Sequence, residues 1–135
     1  MHPDGPNPLR RDCGSRQLIE LIGDKWTMLV LWALHSGPRR NGELLRLVEG
    51  ISQKMLTRTL QRLAAEGIVV RHDMQTVPPH VEYRLTELGE SLDILRSVLD
   101  QWFAEHLAQY RAGSLSNGAQ TGPHIGIEER ASYRD

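Results

Sequence analysis

Between Glu43 and Ile68 the chain reads ELLRLVEGISQKMLTRTLQRLAAEGI. The first part predicts a helix over about 41–48, with Leu44, Leu45 and Val48 facing inward. Glu49-Gly50 makes a short turn. Ser52 then stands where a helix needs a side-chain cap, and Gly67 stops that helix after Glu66. Two helices joined by so few residues, with glycine in the joint, suggest a helix-turn-helix. The second helix has two distinct sides. At about 100° per residue, Gln53, Lys54, Thr57, Arg58 and Gln61 share an arc of roughly 140°. Leu56, Leu60 and Leu63 gather in a separate arc of about 60°. The leucines explain how the helix docks on a core. They leave unexplained a face of long donors and cations with almost no carboxylate before Glu66.

The flanking sequence builds around this pair. Upstream, a helix is expected over about 14–22, with Leu18, Leu21 and Ile22 on one side. Gly23-Asp24 interrupts it, and Asp24 is a plausible N-cap for KWTMLVLWALH, a stretch so apolar that it reads as the buried central helix. Gly37-Pro38 ends it. Downstream the period changes: IVVRHDMQ and HVEYRL suggest two strands around the loop TVPP. A hairpin after a helix-turn-helix is a wing. Thr86 is placed to cap a long helix to about Tyr110, in which Leu88, Leu92, Leu95, Leu99, Trp102 and His106 step at heptad spacing. Residues 1–12, with three prolines, read as a flexible arm, 13–111 as the folded domain, and the Gly- and Ser-rich 112–135 as a disordered tail. The fold class is therefore α+β and mainly helical: a winged helix-turn-helix with a two-stranded wing, flanked by an N-terminal helix and a long C-terminal helix at heptad spacing.

A chain of 135 residues with 39% apolar and 24% charged residues is ordinary for a single soluble domain. Its longest apolar-rich run, TMLVLWAL, falls far short of the roughly 20 residues of a membrane helix. The N-terminus has no apolar centre of a secretory signal. A single cysteine, Cys13, excludes an internal disulfide and fits a reducing compartment, so a cytoplasmic location without a membrane partner is expected. The net charge of −1 hides a segregation. Residues 39–71 hold seven cations against three carboxylates, whereas residues 87–111 hold two against five. A basic segment around a helix-turn-helix is the electrostatic footprint of nucleic-acid binding.

On that footing double-stranded DNA is the expected partner. Gln53, Lys54, Thr57 and Arg58 supply the donors and acceptors that read base edges from the N-terminal half of a recognition helix, with Ser52 at its start. Arg62, at the margin of the polar face, is better placed for a phosphate. Arg39 and Arg40 precede the third helix, whose N-terminus adds partial positive charge toward a phosphate. Arg71, His72, Gln75 and His80 lie on or near the wing tip. Cys13 has Arg10, Arg11 and Arg16 close by and sits at a helix start, two features that stabilise thiolate. A surface thiolate there would be open to oxidation, with any disulfide formed to another molecule; spacing alone favours a packing cysteine. Enzyme signals are poor. There is no Gly-rich phosphate loop, no CxxC and no His pair at metal spacing, so no catalytic residue, metal or cofactor is expected.

Three segments together, GDKWTMLVLWAL, GPRRNGELLRLVEGISQKMLTRTLQRLAAEGIVVR and VPPHVEYRLTELGESL, closely resemble the HxlR-type winged helix-turn-helix transcriptional regulators of bacteria, within the MarR-like superfamily. The resemblance covers about residues 13–107. It implies a homodimer on pseudo-palindromic DNA, with the recognition helix at Ser52 to Glu66, the wing at VPPHVEY and dimerisation through the terminal helices. In several members the cysteine matched by Cys13 senses oxidants, quinones or aldehydes. Two departures stand out. Gly14 follows Cys13 where proline is common, and RRNGEL replaces an RFNEL-like stretch, which predicts looser packing under the third helix for want of an aromatic. The function expected is sequence-specific repression of transcription. Two alternatives stay open: a regulator gated by an apolar effector between Trp26, Trp32, Trp102 and the dimer helices, and a winged-helix module for protein contact.

Overall fold

The computed structural model describes residues 5–121, with side chains to residue 113; expectations for the first four residues and for 122–135 lie outside that range. Its elements run α1 (Gly14–Ile22), α2 (Lys25–Leu34), α3 (Asn41–Leu47), α4 (Gln53–Ala65), β1 (Val69–Asp73), β2 (Val81–Leu85) and α5 (Glu87–Thr121). The chain divides between Arg96 and Ser97 into two compact units.

Single polar side chains start three of these helices where the sequence places them. Asp24 Oδ1 accepts from the backbone N–H of Trp26 at 2.8 Å and of Thr27 at 3.4 Å. Ser52 Oγ accepts from Met55 N–H at 3.1 Å, and Thr86 Oγ1 from Gly89 N–H at 3.0 Å. Each satisfies a donor that the first turn of a helix leaves without an intrahelical partner. Helix α3 starts differently. Its N-cap residue is Arg40, whose side chain accepts nothing; instead Arg40 N–H donates to Glu43 Oε1 at 3.0 Å and fixes the turn. Gly50 and Gly67 both take positive φ, 91° and 74°, at the joint between α3 and α4 and at the end of α4. A side chain at either position would strain the backbone.

The first unit packs its helices around one apolar centre. Helix α2 contributes Val30, Leu31 and Leu34, α3 contributes Leu44, and α4 contributes Leu56, Leu60 and Leu63, with Ile68 and Val69 closing the far side. Burying side chains of this size yields about 1.5–3 kcal/mol each. Helix α2 is not buried all round: Leu29 is exposed, and Trp26 and Met28 only partly covered. Leu44 is fully buried despite the missing aromatic in RRNGEL.

The wing is an antiparallel pair in the register Val69↔Leu85 through Asp73↔Val81. It gains a third edge the sequence does not announce. Arg39 N–H donates to Tyr83 O at 2.9 Å, and Tyr83 N–H donates back to Arg39 O at 2.8 Å. The segment that leads into α3 is thus stitched to β2. A second junction joins the end of α4 to the start of α5. Thr86 N–H donates to Ile68 O at 3.0 Å, and the Thr86 hydroxyl donates to Gly67 O at 2.5 Å. Gly89 lies so close that a Cβ there would stand 2.2 Å from Ile68 O.

Helix α5 continues past the expected end near Tyr110 to Thr121, so the tail read as disordered from Ala112 is helical for its first turns. Extending an established helix costs little compared with starting one, and no proline interrupts it before Thr121. In the second unit Val98, Leu99, Trp102, Phe103 and Tyr110 are exposed along this helix. Trp102 stacks on His106 with ring centroids 5.0 Å apart and meets Phe103 edge-on at 6.3 Å. Among the described residues no helix is long and apolar enough to cross a membrane.

Candidate nucleic-acid interface

Because α4 buries Leu56, Thr59, Leu60 and Leu63, its opposite side turns outward. Gln53, Lys54, Thr57, Arg58 and Gln61 are all exposed there, as the spacing requires. The side chains of Lys54 and Arg58 make no ion pair or hydrogen bond among the described residues, and neither does that of Arg71 on β1. A cation held out on a buried scaffold with no partner keeps its full charge for an external anion.

The other expected contacts are engaged within the protein. Arg62 Nη1 lies 3.3 Å from Asp24 Oδ2, the same carboxylate that caps α2. Arg62 therefore ties α4 to α2 rather than standing free for a phosphate. Arg39 is held at both ends: Nε donates to Ala33 O at 3.3 Å, and Nη1 is 3.6 Å from Glu43 Oε2. Glu43 is held below the ordinary carboxylate range, chiefly by the bond from Arg40 N–H, with Arg39 and Arg46 adding to it against the cost of burial. Arg40 Nε lies 2.9 Å from His80 Nε2, with Nη2 against Nδ1, and His80 Nε2 is 3.1 Å from Glu82 Oε2. Arg40 and His80, proposed separately from the sequence, thus form one cluster that joins the turn before α3 to the wing.

Gln53 is also bound. Its carboxamide pairs in both directions with Asn41, and its Nε2 reaches Thr57 Oγ1 at 2.9 Å. Asn41 was not foreseen as part of the face. The available signal was its position at the start of α3, as Gln53 stands at the start of α4. His72 and Gln75 are exposed on the wing, and Gln75 takes φ 54° with its N–H bonded to Asp73 Oδ1 at 2.9 Å.

Cys13 is the N-cap residue of α1 and is buried, 7% exposed, with Sγ 2.9 Å from Ser15 Oγ. Its burial agrees with the packing cysteine that spacing favours, rather than with a surface thiol. Two of the cations near it in sequence have other partners: Arg10 pairs with Asp12 at 3.1 Å, and Arg16 donates to Leu9 O at 2.9 Å. Of the heptad residues, Leu92 packs against the core of the first unit and is not free for a seam. Leu95 is half-buried, while Leu88, Leu99 and Trp102 are exposed. Trp26 packs on the core under Lys25, whose Nζ is 4.5 Å from its ring, and Trp32 carries the Arg96 guanidinium at 5.7 Å. Of the three tryptophans offered for an effector, Trp26 and Trp32 are therefore engaged within the first unit, and Trp102 is exposed.

Comparison with known proteins agrees with this geometry. The model of the HxlR-like helix-turn-helix family matches residues 21–111. The HTH-type transcriptional regulator YkvN of Bacillus subtilis (strain 168) is 50% identical over 90 residues, 67% of this chain and 76% of that protein. Among solved structures, the transcriptional regulator YtfH from Salmonella typhimurium superposes with a TM-score of 0.71 at 37% identity, covering 81% of this chain and 97% of that one. The redox regulator HypR in its reduced form gives 0.67 at 33% identity, covering 73% and 97%.

Proposed function

We infer the function from a chain that belongs to the HxlR-like helix-turn-helix family and is a transcriptional regulator of that type. It binds a pseudo-palindromic operator as a homodimer and represses by occlusion, in the cytoplasm. The observation that carries this reading is the outward face of α4, where Lys54 and Arg58 stand exposed beside Gln53 and Thr57, without ion pairs among the described residues. Lys54 and Arg58 suit guanine O6 and N7 in the major groove, and Arg71 suits the flanking backbone. The Arg40–His80 cluster, next to the helix-turn-helix, supports a wing held in place for the same duplex.

The second subunit is recruited by the apolar surface of α5. Exposed Val98, Leu99, Trp102 and Phe103 on one stretch of helix are costly to leave in water. A two-fold dimer sets two α4 helices about one turn of DNA apart, or a near multiple. Genomic-fragment selection with purified protein tests the reading, and a palindromic motif is expected. Arg58→Ala should weaken operator binding by about 1–3 kcal/mol if Arg58 contacts a base in bidentate fashion. An unchanged operator affinity removes Arg58 from the reading face.

Likeness to a redox regulator favours a second element, oxidant control through Cys13. With one cysteine per chain, a disulfide must join Cys13 to a thiol of another molecule. Loss of DNA binding on treatment with a thiol oxidant should vanish in Cys13→Ser, and its persistence would assign the switch elsewhere.

A further inference from the structure

Asn41 begins α3 and Gln53 begins α4, and their side chains close a ring across the helix-turn-helix. Asn41 Nδ2 donates to Gln53 Oε1 at 2.7 Å, and Gln53 Nε2 donates to Asn41 Oδ1 at 3.1 Å. The second N–H of Gln53 goes to Thr57 Oγ1, 2.9 Å away and one turn further along α4. A carboxamide has two N–H donors and two acceptor sites on its oxygen. Gln53 has therefore used both donors and keeps one acceptor site. Thr57, having accepted, keeps its hydroxyl hydrogen to give.

The ring changes what Gln53 reads. Glutamine recognises adenine by giving one N–H to N7 and accepting from N6 at once. A Gln53 with no N–H left cannot do this. We propose that Asn41 is a specificity-determining residue of the DNA site: by occupying the Gln53 carboxamide it leaves Gln53 as a hydrogen-bond acceptor, with the Thr57 hydroxyl as the neighbouring donor. An acceptor in the major groove selects a base edge that carries an amino group, cytosine N4 or adenine N6, and disfavours guanine and thymine, which offer only acceptors there. Here a half-buried amide stands in α3 and reaches the reading helix.

The inference rests on the DNA-binding reading of α4. Its test is selection from a randomised operator library by the full chain and by Asn41→Ala, Asn41→Asp and Gln53→Ala, with the salt dependence of binding measured for each. Gln53→Ala identifies the base position read by Gln53. Asn41→Ala should change the ratio of bases at that same position by roughly fivefold or more, toward adenine, with the salt slope unchanged. Asn41→Asp, which still accepts from Gln53 Nε2, should keep the wild-type preference there. In the free protein, the side-chain amide resonances of Gln53 should move in Asn41→Ala. A wild-type motif that Asn41→Ala leaves intact at every position overturns the inference. So does a uniform loss of affinity with the salt slope lower by about one, which marks a phosphate contact. Selection of no motif by the wild type overturns the DNA reading itself, and the inference with it.

Discussion

Gly89→Ala is a sharp test of the junction between α4, the wing and α5. Alanine is the better helix former by about 1 kcal/mol, so at an open helical position the change stabilises. At residue 89 a Cβ would stand 2.2 Å from Ile68 O, a backbone atom that cannot rotate away. Relief requires the first turn of α5 to retreat by about 1 Å, and overpacking of this kind costs about 1–3 kcal/mol. The retreat also stretches the Thr86 N–H bond to Ile68 O from 3.0 Å toward 4 Å, forfeiting about 1 kcal/mol more. Set against the propensity gain, the net loss is about 1–3 kcal/mol. Urea unfolding at one fixed protein concentration, followed by far-UV circular dichroism, measures it. Gly113→Ala is the internal control, because residue 113 lies in the same helix with nothing within 4 Å of its Cβ position. That variant should be as stable as the wild type or more so. If Gly89→Ala matches it, the close approach at Ile68 O is not what requires glycine there.

Three other perturbations read different parts of the molecule. Thr27 is fully buried on α2, and its hydroxyl has no hydrogen-bond partner among the described residues. Thr27→Val should therefore raise stability by about 1 kcal/mol, and a lower Tm would mean the hydroxyl is satisfied. Asp93 binds Arg96 Nε at 2.8 Å and His35 Nδ1 at 3.0 Å, and is held below the ordinary carboxylate range by the Arg96 hydrogen bond first, against the cost of burial, with the charges of Arg96 and His35 assisting. A depressed carboxylate contributes stability that is complete above its unfolded pKa and lost as pH falls through the folded value. The stability gap between wild type and Asp93→Asn should accordingly shrink below about pH 4, and a gap that widens on acidification would reverse the assigned sign. Trp102→Asp should weaken the proposed dimer by about 3 kcal/mol or more, roughly a hundredfold in dissociation constant. A variant that still sediments as a tight dimer would place the seam elsewhere.

The parts of the fold written in local sequence were legible. Asp24, Ser52 and Thr86 cap helices because a short polar side chain before an apolar period is a local signal, and the change of period at Ile68 marks the wing. What the sequence hides is long-range. The pairing of Arg39 with Tyr83 is a single bridge and has no period to detect. Arg62 meets a carboxylate 38 residues away, and Arg40 meets a histidine 40 residues away. No spacing rule joins such residues until the helices have packed. Exposure of α4 could be predicted from its leucines, but not which exposed side chains were already occupied. Glycine and serine near residues 113–118 lower helix propensity without abolishing it, so α5 runs past the end that they suggest.

Those occupied cations have a consequence for how binding responds to salt. The basic segment holds seven positive side chains, and a count of charges alone would release about one counterion for each one that meets a phosphate. Arg39 and Arg62 already have carboxylates as counterions of their own. Turning either toward DNA exchanges one ion pair for another and frees little from the duplex atmosphere. Lys54, Arg58 and Arg71 have no such anion among the described residues. The protein's grip on DNA is thus expected to fade with ionic strength less steeply than its basic composition suggests, with the folded chain itself supplying part of the neutralising salt.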